Sequence, residues 1–224
     1  MINIKNISKK YMSGKVSINA LKDASLHIRE GEFIMLRGPS GSGKSTLLNI
    51  IGCLTRITSG NYILENQDIS HWPDHFMSSI RSKKMGFIFQ QFNLISGYPA
   101  WENITVPLIP LGVPKKERRK RAMHMLEKLN LETRADFMSQ ELSGGQQQLV
   151  AIARALINNP EIILADEPSS NIDVTHAANL KEILAGLKKT GKTIIISSHI
   201  KSAIEELVDK TVYVENGCIL SPMP

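Results

Sequence analysis

The stretch Leu36–Thr46 reads L-R-G-P-S-G-S-G-K-S-T and contains the pattern Gly38-x-x-x-x-Gly43-Lys44-Ser45. The apolar run Phe33–Leu36 before it is typical of a strand, and Leu47–Ile51 after it continues as a helix. Glycines in such a loop let successive backbone N–H groups turn inward around a phosphate, and the N-terminus of the next helix favours an anion. A strand, a glycine loop and a helix in this order predict a P-loop that binds a nucleoside triphosphate.

Two side chains of this loop have direct roles in the pattern. The Lys44 ammonium is predicted to reach the β- and γ-phosphates, and the Ser45 hydroxyl is predicted to ligate magnesium. The remaining loop positions are predicted to contact the phosphates: Gly38, Pro39, Ser40, Gly41, Ser42, Gly43 and Thr46. A glycine turn without a ligand is the alternative, and the full eight-position pattern between a strand and a helix disfavours it.

Length and composition restrict the class of protein. The chain has 224 residues, of which 42% are apolar, so it can bury a core as one compact domain or as a core with a subdomain. Its apolar runs are shorter than the roughly 18 residues that span a bilayer, and Met1–Lys5 lacks the apolar segment of a secretory signal. Cys53 and Cys218 match no metal spacing, which favours a reduced cytoplasmic setting. A net charge of +6 suits phosphate ligands or an anionic membrane surface and is too small to indicate nucleic acid.

The order of predicted elements indicates an α/β fold with an inserted helical block. Ile2–Ile7 and Ala24–Ile28 alternate apolar and polar residues as half-buried strands do, and short strands are predicted at Asn61–Leu64 and Met85–Phe89. From Phe92 to about Pro160 the pattern is helical, including a helix over Lys115–Leu131. That helix begins with a dense basic run, which we interpret as a solvated face, with a partner or lipid contact as the alternative.

The C-terminal part of the chain returns to strands. Glu161–Asp166 and Thr193–Ser197 are apolar runs of the fully buried type, and a helix over Thr175–Lys189 separates them. This βαβ order predicts a parallel sheet covered by helices. Thr211–Val214 and Cys218–Leu220 flank an Asn-Gly turn and predict a terminal hairpin.

Two further motifs carry chemistry. Asp166 and Glu167 end a buried strand, where Asp166 is suited to hold the magnesium of a bound triphosphate and Glu167 to polarise the attacking water. Ser143-Gly144-Gly145 precedes a strongly helical run and repeats the logic of an anion site at a helix start. One triphosphate does not need two such cradles from one chain, so the second is predicted to close on the γ-phosphate held by another subunit. A glycine-rich helix cap is the alternative.

Taken together, these motifs resemble the nucleotide-binding subunit of an ABC transporter over essentially the whole chain. Gly38–Ser45 resembles the Walker A motif, Ile162–Glu167 the Walker B strand with its catalytic glutamate, and Leu142–Gln146 the family signature L-S-G-G-Q. The resemblance implies that Gln90 links the nucleotide and metal site to the membrane partner and that His199 is the switch histidine. It also implies that Ser170–Asp173 forms the loop that contacts the other subunit and that Tyr11 stacks on adenine, although an ordinary strand-end tyrosine is the alternative there.

This resemblance implies the fold and the partners. The expected fold is a RecA-like P-loop NTPase core with a parallel sheet, an antiparallel β subdomain and a helical signature subdomain. Residues 1–90 and 161–224 are expected to form the nucleotide-binding core with its β subdomain, and residues 91–160 the helical subdomain, within one domain. The expected cofactors are ATP and Mg2+. The expected partners are a second copy of the chain and an integral membrane permease, which would place the protein at the inner face of the cell membrane.

Within the family, the sequence looks most like the macrolide-efflux and lipoprotein-releasing group. It departs from the usual pattern at Leu149, where an arginine is customary, at Ser169-Ser170 in place of Thr-Gly, and at Ile200, which lacks the acidic residue customary after the histidine. None of these changes removes an atom needed for hydrolysis, but they affect positions expected in coupling. A regulatory ATP switch and a soluble ABC-type ATPase without a transporter are the alternative functions, and a kinase is disfavoured because the signature has no role in one.

Overall fold

The computed structural model describes residues 1–14, 16–170, 174–199 and 203–220. The predicted intersubunit loop therefore lies outside the described residues except for Ser170, and so does the departure at Ile200. Within the described residues, no helix is both long enough and apolar enough to cross a membrane.

The larger sheet has six strands among the described residues, in the order β10-β9-β3-β8-β7-β6. Its strands are β3 (Phe33–Arg37), β6 (Met85–Ile88), β7 (Ile162–Asp166), β8 (Thr193–Ser198), β9 (Lys210–Glu215) and β10 (Cys218–Leu220). The contacts β6·β7, β7·β8, β8·β3 and β3·β9 are parallel, and β9 and β10 form the antiparallel terminal hairpin. The predicted parallel sheet is present, and its carboxyl edge collects the ends of β3, β7 and β8.

The smaller sheet is antiparallel and has the order β2-β1-β4-β5. Its strands are β1 (Ile2–Ser13), β2 (Val16–Ile28), β4 (Ser59–Leu64) and β5 (Gln67–Asp68). The first two strands are longer than predicted. The β1–β2 pairing shifts register between Ile4 and Lys10, and Asn6 and Asp23 adopt positive φ values of 46° and 45°. These irregularities interrupt the alternation by which a strand is recognised.

The described residues also form six α-helices: α1 (Lys44–Ile51), α2 (Asp74–Lys84), α3 (Ala100–Thr105), α4 (Lys115–Lys128), α5 (Gly144–Leu156) and α6 (Val174–Lys189). The helix predicted to reach Leu131 ends at Lys128, because the chain turns with Asn130 at a φ of 55°. Helix α2 was not predicted from the sequence. Only Met77 of that helix is buried, so its apolar stripe is too narrow to give a helical signal.

Three apolar clusters hold these elements together. One lies between the two sheets and includes α1, a second covers the opposite face of the larger sheet beneath α6, and a third fills the helical block from Ala100 to Ile157. Helix α5 belongs to two of them, since Ile152 and Ala155 pack on the sheet while Val150 and Ala153 pack in the helical block. The boundaries predicted at residues 90 and 160 stay a prediction, but α5 is the element that joins the helical block to the sheet.

Candidate active site

The glycine loop between β3 and α1 has a shape that only glycine permits at two positions. Gly43 has a φ of 110°, and a Cβ added to it would lie 2.6 Å from the carbonyl oxygen of Ala20. A Cβ added to Gly38 would lie 2.0 Å from the carbonyl oxygen of Val214. Backbone from the smaller sheet and from the terminal hairpin therefore presses against the loop, which fixes its path.

The polar groups of this loop are arranged for an anion. The Lys44 side chain is 4% exposed, and its Nζ donates to the carbonyl oxygens of Gly38 at 2.8 Å and Pro39 at 2.9 Å. The Ser42 hydroxyl is also buried, yet its oxygen has no hydrogen-bond partner among the described residues. A buried hydroxyl without a partner costs free energy unless a ligand supplies one, so this position fits a bound phosphate oxygen.

A cavity of about 520 Å³ opens over the loop and brings several predicted site residues together. Its described lining consists of Ile18, Asn19, Ala20, the loop residues Ser40, Gly41, Ser42, Gly43, Lys44, Ser45 and Thr46, and Gln90, Glu167 and His199. Four segments distant in sequence therefore converge with the loop, and the volume is in the range of small-molecule sites.

Tyr11 stands beside this cavity but is not among its lining residues. It pairs across the β1–β2 hairpin with Ile18, which does line the cavity, and its side chain is 39% exposed. The Nζ of Lys9 lies 4.8 Å from the centre of the Tyr11 ring. Adenine stacking by Tyr11 therefore stays a prediction.

Two of the three predicted magnesium ligands, Ser45 and Asp166, meet at the carboxyl edge of the sheet, while the third, Gln90, lines the cavity. The Ser45 hydroxyl donates to Oδ1 of Asp166 at 3.1 Å, and the buried Ser197 hydroxyl donates to the same oxygen. One hydroxyl and one carboxylate beside a phosphate loop are the protein ligands that Mg2+ uses when phosphates and waters complete its shell. The residues present therefore fit this ion.

Glu167 follows Asp166 in a strained turn that faces His199. Its φ is 45°, a left-handed conformation that is uncommon for residues other than glycine and is concentrated at functional sites. Its backbone N–H donates to the carbonyl oxygen and the hydroxyl of Ser197, at 3.2 and 3.0 Å. Its Oε1 lies 2.9 Å from Nδ1 of His199. The glutamate is thus aimed at the cavity by its backbone and paired with the predicted switch histidine.

After Gln90 the chain forms a loop with an unusual backbone. Phe92 and Asn93 have φ values of 57° and 49°, and both carbonyl oxygens accept hydrogen bonds from the Arg154 guanidinium, at 2.5 and 2.6 Å. Arg154 is 9% exposed, and burial lowers the pKa of its guanidinium. This contact was not predicted from the sequence. A lone arginine within the apolar run V-A-I-A-R-A-L of α5 was the signal that could have revealed it.

The signature residues lie outside this cavity. Ser143 caps α5, since its hydroxyl accepts from the Gln146 N–H at 3.3 Å while Oε1 of Gln146 accepts from the Ser143 N–H at 3.1 Å. Ser143 and Gly144 are exposed, and a Cβ added to Gly144 would meet no atom within 4 Å in the part of the chain that the structure describes. The helix start, with Gly145, is therefore open to a ligand from outside the protomer.

Two of the departures lie within the described residues. Leu149 is partly buried and packs against the core of the helical block. Ser170 donates its hydroxyl, at 2.9 Å, and its N–H, at 3.1 Å, to the carbonyl oxygen of Glu167. The serine in place of glycine thus adds a side-chain contact to the strained turn.

Known proteins resemble this chain in sequence and in fold. Residues 21–170 match the family model described as ABC transporter. YvrO of Bacillus subtilis, an uncharacterized ABC transporter ATP-binding protein, is 45% identical over 97% of this chain and 94% of its own length. The macrolide export ATP-binding/permease protein MacB of Campylobacter fetus is 46% identical over 99% of this chain, which spans only 34% of MacB.

A solved structure gives the same result. The dimeric, post-hydrolysis state of the ATP-binding cassette MJ0796 of Methanocaldococcus jannaschii, bound to ADP and Pi, has a TM-score of 0.91 and 42% identity and covers 99% of this chain and 97% of its own. These matches confirm the resemblance stated above, the α/β P-loop fold and the prediction of an ATP-driven transporter subunit. By sequence, by fold and by the construction of its P-loop, the chain belongs to the ABC transporter family as an ATP-binding and ATP-hydrolysing subunit.

Proposed function

We propose that two copies of this chain dimerise around ATP and that hydrolysis drives an integral membrane permease of an export or lipoprotein-release system. The residues that line the cavity are the main support for this proposal. The cavity holds the P-loop, Gln90, Glu167 and His199 of one protomer, whereas the exposed helix start at Ser143–Gly145 lies outside it. A second copy would supply this helix start to the γ-phosphate, and MJ0796 is dimeric in its structure with ADP and Pi.

The residues divide the chemistry among them. Lys44 and the loop N–H groups bind the phosphates, while Ser45, Asp166 and Gln90 hold Mg2+, which when bound neutralises charge on the phosphate oxygens. Glu167 polarises the attacking water as general base. His199, whose Nδ1 lies 2.9 Å from the Glu167 carboxylate, orients that carboxylate and senses the γ-phosphate together with Gln90. Loss of the γ-phosphate removes the bridge between P-loop and signature and opens the dimer.

A permease partner is supported by the relatives. MacB, which this chain matches over 34% of its length, is named as an ATP-binding/permease protein. We propose that this chain acts with a permease subunit that holds it peripherally at the inner face of the membrane. Co-purification with an integral membrane protein would support this arrangement. A chain that hydrolyses ATP but is never recovered with membranes would favour the soluble ABC-type ATPase instead.

The central test is Glu167→Gln. The amide cannot act as a base, and general-base catalysis contributes about 10²–10⁴-fold, so phosphate release should fall at least 100-fold. Binding of MgATP should persist, and size-exclusion chromatography with ATP should show a trapped dimer. Glu161→Gln is the matched control, because Glu161 precedes the same strand at its opposite end, beside Lys84.

Each outcome of this test has one meaning. Near-normal turnover in Glu167→Gln would refute the role of Glu167 as base. Loss of turnover without an ATP-dependent dimer would refute the sandwich arrangement. Absence of phosphate release from the unmodified chain would favour the regulatory ATP switch.

A further inference from the structure

Ser197 lies at a buried position, where a hydroxyl group costs free energy unless it forms hydrogen bonds. All six residues of β8 are buried, Ile194, Ile195 and Ile196 precede Ser197, and Ser197 itself is 0% exposed. A buried hydroxyl is tolerated when its hydrogen bonds are satisfied, and here both of its capacities are used. It accepts the Glu167 N–H at 3.0 Å and donates to Oδ1 of Asp166.

The sheet topology explains why one serine reaches both acidic residues. In the parallel pairing of β7 with β8, Ser197 stands opposite Asp166, and in the pairing of β3 with β8 it stands opposite Leu36. Ser197 therefore lies between the strand that leads into the P-loop and the strand that ends at the two carboxylates. Its hydroxyl joins the side chain of one acidic residue to the backbone of the next.

We infer that Ser197 is a positioning residue that orients the Asp166 carboxylate for the metal ion and holds the strained Glu167 backbone for its role as base. The inference rests on the function proposed above. Oδ1 of Asp166 accepts from two hydroxyls, Ser45 on the phosphate side and Ser197 on the sheet side, so its direction is set from both. The Glu167 N–H is tied to Ser197 while its φ is 45°. Removing the hydroxyl releases the carboxylate and the turn together.

The experiment replaces Ser197 by alanine, by valine and by threonine. Alanine and valine lack the hydroxyl, and valine suits a buried strand, whereas threonine keeps the hydroxyl. Replacing a residue that hydrogen-bonds to a metal ligand typically lowers metal affinity or activity 10- to 100-fold. We expect kcat to fall about 10-fold or more in Ser197→Ala and Ser197→Val, and the Mg2+ concentration for half-maximal turnover to rise about 10-fold. Ser197→Thr should retain most of both.

A binding measurement provides a readout independent of turnover. The affinity for a fluorescent ATP analogue should be unchanged within about twofold in the absence of Mg2+, because the P-loop contacts remain. The gain in affinity on adding Mg2+ should shrink about 10-fold in Ser197→Ala, by the same reasoning about the metal ligand.

Ser70→Ala is a closely matched control. The buried Ser70 hydroxyl also accepts a backbone N–H, from Tyr62 at 2.7 Å, and donates to a carboxylate, Oδ1 of Asp68. That site lies in the smaller sheet and does not line the cavity, so this variant should lower the melting temperature without changing kcat or the Mg2+ response.

The inference fails if Ser197→Ala and Ser197→Val keep kcat and the Mg2+ response within twofold of the unmodified chain. It also fails if Ser70→Ala changes both as much as Ser197→Ala does. If Glu167→Gln abolishes turnover while Ser197→Ala is normal, only the role of Ser197 is refuted. If Glu167→Gln retains turnover, the role of Glu167 as base is refuted, and with it the purpose assigned to the contact between Ser197 and the Glu167 backbone. The Mg2+ response of Ser197→Ala then still tests the orientation of Asp166 by Ser197.

Discussion

Arg154→Met is expected to destabilise the loop that follows Gln90 more than the replacement of an exposed charged residue would. The Arg154 guanidinium is buried in α5 and donates to the carbonyl oxygens of Phe92 and Asn93 at 2.5 and 2.6 Å. Methionine fills a similar volume but leaves both carbonyls without these partners. Both carbonyl-bearing residues have positive φ values, so their backbone depends on such contacts to keep its path.

The magnitude follows from the two hydrogen bonds. Bonds to a charged donor contribute about 1.5–3 kcal/mol each, or about 3–6 kcal/mol for the pair. Part of this loss is offset because the variant no longer buries a charge, and the pKa of the guanidinium is lowered by that burial. We expect a net loss of about 3 kcal/mol. With a urea dependence of about 2 kcal/mol per M, the unfolding midpoint falls by about 1.5 M.

Urea unfolding followed by tryptophan fluorescence measures this change, since Trp101 is buried in the helical block. Amide hydrogen exchange should show faster exchange over residues 91–95 in Arg154→Met, and turnover should fall because Gln90 precedes the released loop. Arg121→Met on α4 is the control, because its contact with Glu117 is exposed and contributes little. A midpoint shift in Arg154→Met no larger than that of the control, with unchanged exchange, would refute the assigned role of the guanidinium.

Two further predictions concern a backbone contact and a buried thiol. Gly43→Ala should abolish ATP binding, because its Cβ would lie 2.6 Å from the Ala20 carbonyl oxygen. Gly41 also has a positive φ, of 74°, but a Cβ there would meet no atom of the described residues within 4 Å, so Gly41→Ala should bind a fluorescent ATP analogue more tightly than Gly43→Ala. Equal affinities in the titration would contradict this. Burial raises the pKa of the Cys53 thiol to about 11, so its contribution to stability is complete below the unfolded pKa of about 8.5 and is lost as pH rises through 11. When urea unfolding is compared at pH 8.5 and pH 11, the free energy of unfolding of Cys53→Ala should therefore fall by about 3 kcal/mol less than that of the unmodified chain. Cys218→Ala, whose thiol is less buried, should follow the unmodified chain. An unchanged pH dependence in Cys53→Ala would show that the thiol stays protonated in the unfolded chain as well or ionises freely in the fold.

Sequence patterns predicted the parts of the fold that are determined by a few consecutive residues. Buried strands at Ile162–Asp166 and Thr193–Ser198 are continuous apolar runs, and the glycine loop is a local chain path, so each was visible within a few residues. The full length of β1 and β2 was not visible, because register shifts break their alternation. Helix α2 was missed because it buries only Met77.

The part of the site that escaped prediction is the set of supporting residues. Ser197 and Arg154 act on backbone groups and carboxylates that are far away in sequence, and no spacing rule connects Ser197 with Asp166 or Arg154 with Phe92. Each was nevertheless marked by a polar residue in an apolar run, which indicates an unseen partner. Such a residue reveals that a partner exists, and the tertiary structure is needed to identify it.

Helix α5 carries two buried polar side chains, Gln148 and Arg154, that contact loops of the site. Its exposed start at Ser143 faces outward, while the buried Gln148 donates to the carbonyl oxygen of Pro168 at 2.9 Å, next to Glu167. Six residues further along the helix, Arg154 donates to the carbonyl oxygens of the loop after Gln90. Through these contacts α5 connects its own signature residues with the turn after Glu167 and the loop after Gln90. Leu149 packs on the helical block and takes part in neither contact, so the loss of the customary arginine leaves this connection intact.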